Sequence, residues 1–371
     1  MDKIMNVYIA SPNKPDSEAC ATLVLPAMPY ELFDALDKVR IGLDDELYFQ
    51  VEEYCAFEYL EPYLTDADNL SELNALCQRL SELDDLQCAA FEGLLKMEIA
   101  KKSGPIPIGT CIDLAYSTDS CNVVGEARND AELGRFYANN DFIPTVENLS
   151  DEVFELLDFE KIGRTQRTAE GGVFTRVGYV MQDTELTEAY KNMSFTVQTP
   201  DYQILLELPD GMRLELPCKF PPDVPSHRCL DCRVPMLMGA IDEADIQEVN
   251  EFAEMLKGVG DTPMRKYKAV LYATGCDSLE NAIATAEHLD DFKFEESTSC
   301  MRELALDKLN SLLDAEEVEL LSKYTDLYCY GKAVMERDNS AITQYGLLGR
   351  RDWQPVETMN NQPERSGMEM I

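Results

Sequence analysis

One stretch that occurs twice constrains this chain more than anything else in it. Asn69-Leu-Ser-Glu-Leu-Asn-Ala-Leu-Cys-Gln-Arg-Leu80 matches Asp245-Ile-Gln-Glu-Val-Asn-Glu-Phe-Ala-Glu-Met-Leu256 at one constant offset, with Glu72 opposite Glu248 and Asn74 opposite Asn250. In both, apolar residues recur at helical spacing behind an Asn or Asp able to cap a first turn, so each predicts a helix. Asn69 followed by Glu72 has the form of a capping box.

Further blocks follow in the same order. The apolar runs from Cys111 to Tyr116 and from Lys268 to Tyr272 read as strands, each entering a polar turn. A helix is then expected behind Asn129 or Asp130 in one series and behind Asp277 or Ser278 in the other. Asp158 to Gly163 aligns with Asp326 to Gly331, and Gly172 to Tyr179 aligns with Ser340 to Leu347. Gly171-Gly172 reads as a hairpin turn. Ordered self-similarity of this kind predicts a duplicated unit. The expected fold is α+β: two diverged repeats of small mixed sheets with packed helices. Each repeat opens on short strands, Met5 to Ala10 with Ala21 to Leu25, and Gln203 to Leu208 with Arg213 to Pro217, the latter pair turning at Pro209-Asp-Gly-Met212. The expected divisions are residues 4–100, an accessory α+β segment 101–190 that completes the first repeat, a second repeat 201–348 joined near 192–200, and a flexible tail 349–371 without apolar period. Trp353 in that tail is expected to be incidental.

Charge narrows the function. The 371 residues carry 70 acidic and 32 basic side chains, a formal charge of −38, while 45% of residues are apolar. That much apolar content argues against wholesale disorder. A polyanion this strong is repelled by DNA, RNA and anionic membranes, so a partner should be basic. From Ile41 to Leu95 there are fourteen acidic residues and a single basic one, Arg79, with Tyr and Phe interleaved. Duplex DNA shows one negative charge per ~1.7 Å of axis, so the whole excess equals that of roughly 65 Å of duplex. A compact chain of this length has a radius of gyration near ~21 Å. Its surface could therefore approach the charge density of DNA.

Chemistry for catalysis is not evident. There is no Gly-rich phosphate loop, no dinucleotide fingerprint and no His-Glu-x-x-His helix. His227 and His288 are the two histidines, and His288 falls in an apolar-periodic helix, which suits a structural role. No catalytic residue is assigned, no enzyme is expected and no cofactor is implied. Cys218, His227, Cys229 and Cys232 surround one Pro-rich loop and form the sole grouping with metal-like spacing. Its irregular first interval favours ordinary loop and core cysteines over zinc. The remaining cysteines are scattered singly, as small reduced core residues are. No run approaches the ~18 apolar residues of a membrane span, and MDKIMNVYIASPNK lacks a signal core, so the chain reads as cytoplasmic.

The early strands, the acidic aromatic stretch Asp44-Asp-Glu-Leu-Tyr-Phe-Gln-Val-Glu-Glu-Tyr54, the segment Leu70 to Asp84 and the segment Ala90 to Leu95 resemble the ArdA antirestriction proteins of mobile elements, over residues 4–100. That resemblance implies an elongated, acidic, often dimeric protein whose carboxylates imitate the phosphates of B-form DNA. Such a protein occupies the DNA-binding groove of type I restriction-modification enzymes. The partner-binding residues it implies here are Asp44, Asp45, Glu46, Glu52, Glu53, Glu72, Glu82, Asp84, Asp85 and Glu92, to which the same acidic stretch adds Glu58 and Glu61. This chain departs from the family in its length, its second diverged copy and its many cysteines. The alternative expectation is an acidic accessory or scaffold protein of a mobile element that binds a basic protein without imitating duplex geometry.

Overall fold

The structure, a computed structural model, describes residues 3–11, 19–41, 46–64, 69–101, 104–144, 150–219 and 226–356. Residue contacts divide the chain into two units. One comprises Met1–Val7, Val24–Ala27 and Val51–Val197, and the other Tyr8–Leu23, Met28–Gln50 and Gln198–Ile371. The division at 197/198 falls inside the stretch read as a junction.

Strands β1 (Met5–Ala10) and β2 (Cys20–Leu25), helix α1 (Pro29–Val39) and strand β3 (Tyr48–Glu53) open the chain, and the strands form a sheet in the order β2-β1-β3. Helices α2 (Leu70–Leu80), α3 (Asp85–Lys101) and α4 (Ile108–Tyr116) follow. Then come β4 (Cys121–Val124), α5 (Asp130–Asn139), the short α6 (Asp151–Phe154), α7 (Phe159–Glu170), β5 (Val173–Phe174) and β6 (Tyr179–Gln182), with a sheet ordered β4-β6-β5.

The second series is β7 (Ile204–Glu207), β8 (Arg213–Leu216), β9 (Arg228–Cys232), α8 (Met238–Glu243), α9 (Ile246–Gly258), α10 (Asp261–Thr274) and α11 (Leu279–Glu287). It continues through β10 (Phe292–Glu295), α12 (Met301–Asn310), α13 (Ala315–Ser322), α14 (Leu327–Arg337), β11 (Ala341–Thr343) and β12 (Gly346–Arg350), and its sheets are ordered β8-β7-β9 and β10-β12-β11. The chain is therefore mixed helix and sheet. The pairings that have a described register are all antiparallel, where mixed sheets were expected.

Several contacts recur in the two series. The side chain of Asn74 on α2 accepts a hydrogen bond from the Ala27 backbone N–H at 2.8 Å, and that of Asn250 on α9 accepts from the Cys218 N–H at 3.0 Å. Where α7 crosses α5, a Cβ on Gly163 would lie 1.8 Å from the Asp130 carbonyl oxygen. Where α14 crosses α12, a Cβ on Gly331 would lie 1.9 Å from that of Met301. Asp158 and Asp326 cap α7 and α14 by accepting from Lys161 N–H and Cys329 N–H, each at 3.0 Å. Thr175 donates to the Gly178 carbonyl at 2.9 Å and Thr343 to the Gly346 carbonyl at 2.7 Å, closing the β5–β6 and β11–β12 turns alike.

Four local expectations are corrected. Cys111 to Tyr116 lies in helix α4 and Lys268 to Tyr272 in helix α10. Both are apolar runs buried on several sides of a helix, which short sequence windows do not separate from a buried strand. Gly171 is the left-handed residue that ends α7, at φ 69°, rather than half of a hairpin turn. His288 stands at the C-terminal end of α11 rather than inside it, with its side chain 56% exposed and 3.4 Å from Asp291. Of the expected tail 349–371, residues 349–356 are placed, Gly349 and Arg350 within β12 and Val356 buried beside Phe292, Tyr345 and Leu348; residues 357–371 lie outside the described residues.

Residues 28–50, read from sequence with 4–100, go with the second unit because α1 is fastened there. Buried Lys268 on α10 contacts Asp34 at 2.8 Å and Asp37 at 2.9 Å, and Arg265 contacts Asp37 at 2.7 Å. The Tyr345 hydroxyl donates to Asp34 at 3.0 Å, and the Tyr30 N–H at the start of α1 donates to buried Asp231 at 3.2 Å.

Candidate acidic interface

The acidic stretch is held in shape by apolar residues between its carboxylates. Phe57 and Leu60 are buried in the 3-10 turn Cys55–Leu60, which leaves Glu58 exposed, with Glu61 exposed immediately after it. Helix α2 buries Leu70, Leu73, Leu76, Cys77 and Leu80. The charges between these anchors are therefore carried by a folded surface.

The structure treats the twelve expected residues differently. Asp44 and Asp45 lie outside the described residues. Glu46 is exposed and belongs to the second unit. Glu52, Glu58, Glu61 and Asp85 are exposed, with no ion pair to a basic group among the described residues. Glu53 is exposed but tied to Lys3 at 2.7 Å and to the Asn6 amide at 2.9 Å. Glu82 is exposed and pairs with Arg79 at 3.3 Å. Glu72 does not close a capping box; Asn69 caps α2 through the Ser71 N–H at 2.8 Å, while Glu72 accepts from the Tyr190 hydroxyl at 2.8 Å. Glu92 is 6% exposed and paired with Lys96 at 2.7 Å, which removes it from any presented surface. It sits on α3 among Phe91, Leu94 and Leu95, all buried, so its helical face points inward.

Asp84 has a local structural role as well. Its carboxylate accepts from the Gln87 N–H at 2.8 Å, capping α3, and a carboxylate at a helix N-terminus is favoured by the macrodipole. The Gln87 amide in turn donates to Asp119 at 3.3 Å. Exposed Asp119 thus joins Glu82, Asp84 and Asp85 at the junction of α2 and α3, a member that sequence reasoning missed. It lies beyond α4 in the chain, so no linear window brings it to that cluster.

A competing arrangement exists in the second unit. A cavity of about 400 Å³ is lined by residues that include Tyr30, Phe33, Asp37, Met264, Arg265 and Lys268. Its polar groups are committed to one another. Arg265 also pairs with Glu296, and Arg233 donates to the Leu256 and Val259 carbonyls at 3.0 and 2.9 Å. Burial opposes the charge on Lys268, but Asp34 and Asp37 outweigh it and raise its pKa above the ordinary lysine value. Burial likewise opposes the charge on Asp34, but Lys268 and Lys38 outweigh it and lower its pKa. Both shifts lead away from neutrality, whereas general acid–base work needs groups poised near it. The cluster is a fastening for α1.

The cysteine grouping gives no metal centre. Among the described residues no group of three or more His, Cys, Asp and Glu is placed to hold a metal ion. Cys232 is fully buried, its thiol pushed up to about 12 by desolvation, and burial also raises Cys229, as for thiols packed in a core. His227 Nε2 lies 2.8 Å from the Ile241 carbonyl oxygen. All twelve cysteines are free. Among the described residues no helix is long and apolar enough to cross a membrane. No known protein-family model matches this chain, and no characterised protein matches it.

Proposed function

We propose that this protein is a non-enzymatic antirestriction protein, a folded polyanion that competes with duplex DNA for the basic groove of a type I restriction-modification enzyme in the cytoplasm. The observation that carries this reading is the exposed, unneutralised set Glu52, Glu58, Glu61 and Asp85, with Asp119 nearby, built on ordered elements of a chain whose formal charge is −38. A basic groove that holds phosphates gains from such a surface much of the electrostatic stabilisation it gains from DNA. The likeness of residues 4–100 to the ArdA antirestriction proteins points to the same partner. The contacts shared by the two series of elements support reading them as diverged copies of one unit.

The test replaces Glu52, Glu58, Glu61, Glu82, Asp85 and Asp119 together by their amides and measures inhibition of ATP-dependent DNA cleavage by a purified type I enzyme. None of these side chains is buried, so the fold should survive. The expected result is a loss of inhibition of at least about tenfold, since several charge contacts vanish at once. Full inhibition by the folded variant would show that the acidic surface assigned here is not the working one.

A further inference from the structure

Half of the large apolar side chains that stand exposed among the described residues fall in two short regions, 142–156 and 312–328. In the first unit these are Phe142, Val153 and Leu156, around α6. In the second they are Leu312, Leu320, Leu321, Tyr324 and Tyr328, around α13. The two regions correspond. Each joins the pair of helices that cross at Gly163 or Gly331, each ends at an aspartate cap, and Leu156 and Tyr324 occupy the same turn. The Leu156 N–H donates to the Val153 carbonyl at 3.1 Å, as the Tyr324 N–H donates to the Leu321 carbonyl at 3.0 Å. Both residues are 83% exposed. The core of α12–α14 is closed without Tyr324, by Ala305, Leu309, Val318 and Leu327.

A single exposed leucine needs no explanation, but clustered apolar groups with a polar rim mark interaction surfaces. The rim is mainly acidic. In sequence, residues 150–160 hold five carboxylates and no basic side chain, with Glu155 paired to Arg135 at 3.3 Å and Glu160 to Arg164; residues 311–328 hold five and one lysine, Lys323, which is already paired with Glu319 at 2.8 Å. Two such rims repel, which disfavours a second copy of this chain as the occupant. An apolar protein patch flanked by lysine and arginine is complementary in both respects.

We propose that each unit bears a docking face, Val153 with Leu156 and Leu321 with Tyr324, that seats on an apolar patch beside the basic groove of the partner enzyme. This inference rests on the reading given under Proposed function and extends it. The carboxylates supply a salt-sensitive attraction that nucleic acid could also supply, and the docking faces supply a salt-insensitive hold that nucleic acid lacks.

Two variants test it, Val153→Ser with Leu156→Ser, and Leu321→Ser with Tyr324→Ser, alongside the conservative pair Leu156→Met and Tyr324→Phe. Dissociation from an immobilised type I enzyme is followed at low and raised salt, with thermal unfolding as the control for folding. The serine variants should leave at least about tenfold faster at raised salt, the conservative pair should behave as the wild type, and the slope of affinity against salt should not change. Serine variants that leave at the wild-type rate would overturn the docking proposal while the functional reading stands. Wild-type protein that never binds the enzyme would remove the functional reading and the docking proposal with it. A wild-type dimer that the serine changes split into monomers in sedimentation would make the occupant a second copy, contrary to the proposal.

Discussion

Four carboxylates among the described residues are kept from solvent, and they show how charge is divided between structure and surface. Asp34, Glu92, Glu98 and Asp231 are each 9% exposed or less. Asp231 is the most revealing. Desolvation pushes its pKa up to about 6 even though Tyr202, Tyr30 and Cys232 all donate to it. A carboxyl whose folded pKa lies above its unfolded value binds more protons in the native state, so stability falls as pH rises from about 4 through 6. Asp231→Asn should therefore gain about 2–3 kcal/mol relative to the wild type between pH 4 and pH 7, read from denaturant unfolding at each pH. A difference independent of pH would show that Asp231 is ionised throughout. At Asn74, the side chain bonds both the N–H and the carbonyl of Ala27, whereas Asn250 bonds the Cys218 N–H. Truncation should cost about 1–3 kcal/mol for each group left unpaired, so Asn74→Ala should be the worse of the two in thermal unfolding. The placement of Glu92 was legible in outline, since Phe91, Leu94 and Leu95 surround it and Lys96 follows at the next turn. Counting acidic residues without their helical phase hid it. No local pattern marked Asp119, because its neighbours are supplied by another helix.

At the scale of elements, the crossings of α5 with α7 and of α12 with α14 depend on glycine because a backbone carbonyl occupies the space a methyl would need. Gly163→Ala and Gly331→Ala should each cost about 1–3 kcal/mol or more through forced separation of the helices. Of these four helices only α5 was anticipated, behind Asn129, which does cap it. Asp158 and Asp326 stand out in the sequence only as starts of matched segments, and the helix expected behind Asp277 or Ser278 is α11, capped by Ser278 and outside the crossing pairs. The two apolar runs taken for strands were not anticipated as helices, because Cys111 to Tyr116 and Lys268 to Tyr272 carry so few polar residues that neither period stands out. The fastening of α1 was also hidden. Asp34 and Asp37 have helical spacing, but their partners Arg265 and Lys268 are far away in sequence. Removing Lys268 leaves two aspartates without their shared cation, and Lys268→Ala should cost about 3–5 kcal/mol in unfolding experiments.

On the scale of the whole molecule, the excess charge is not uniform in kind. Part of it is bound within ion pairs and caps, as at Glu53, Glu92 and Asp84, and part is left exposed, as at Glu52, Glu58, Glu61 and Asp85. Under the proposed function, the exposed and unpaired carboxylates are the ones that compete with phosphates. Total charge was plain in the composition. Which carboxylates are free was not, because pairing depends on basic groups brought in by tertiary contacts. The most direct test of the central claim is displacement of a fluorescent duplex from a purified type I restriction-modification enzyme by this protein, titrated across a salt series. The account predicts complete, mutually exclusive displacement whose affinity falls steeply as salt rises. Ternary complexes that hold duplex and protein together, or a duplex signal that never changes, would contradict it.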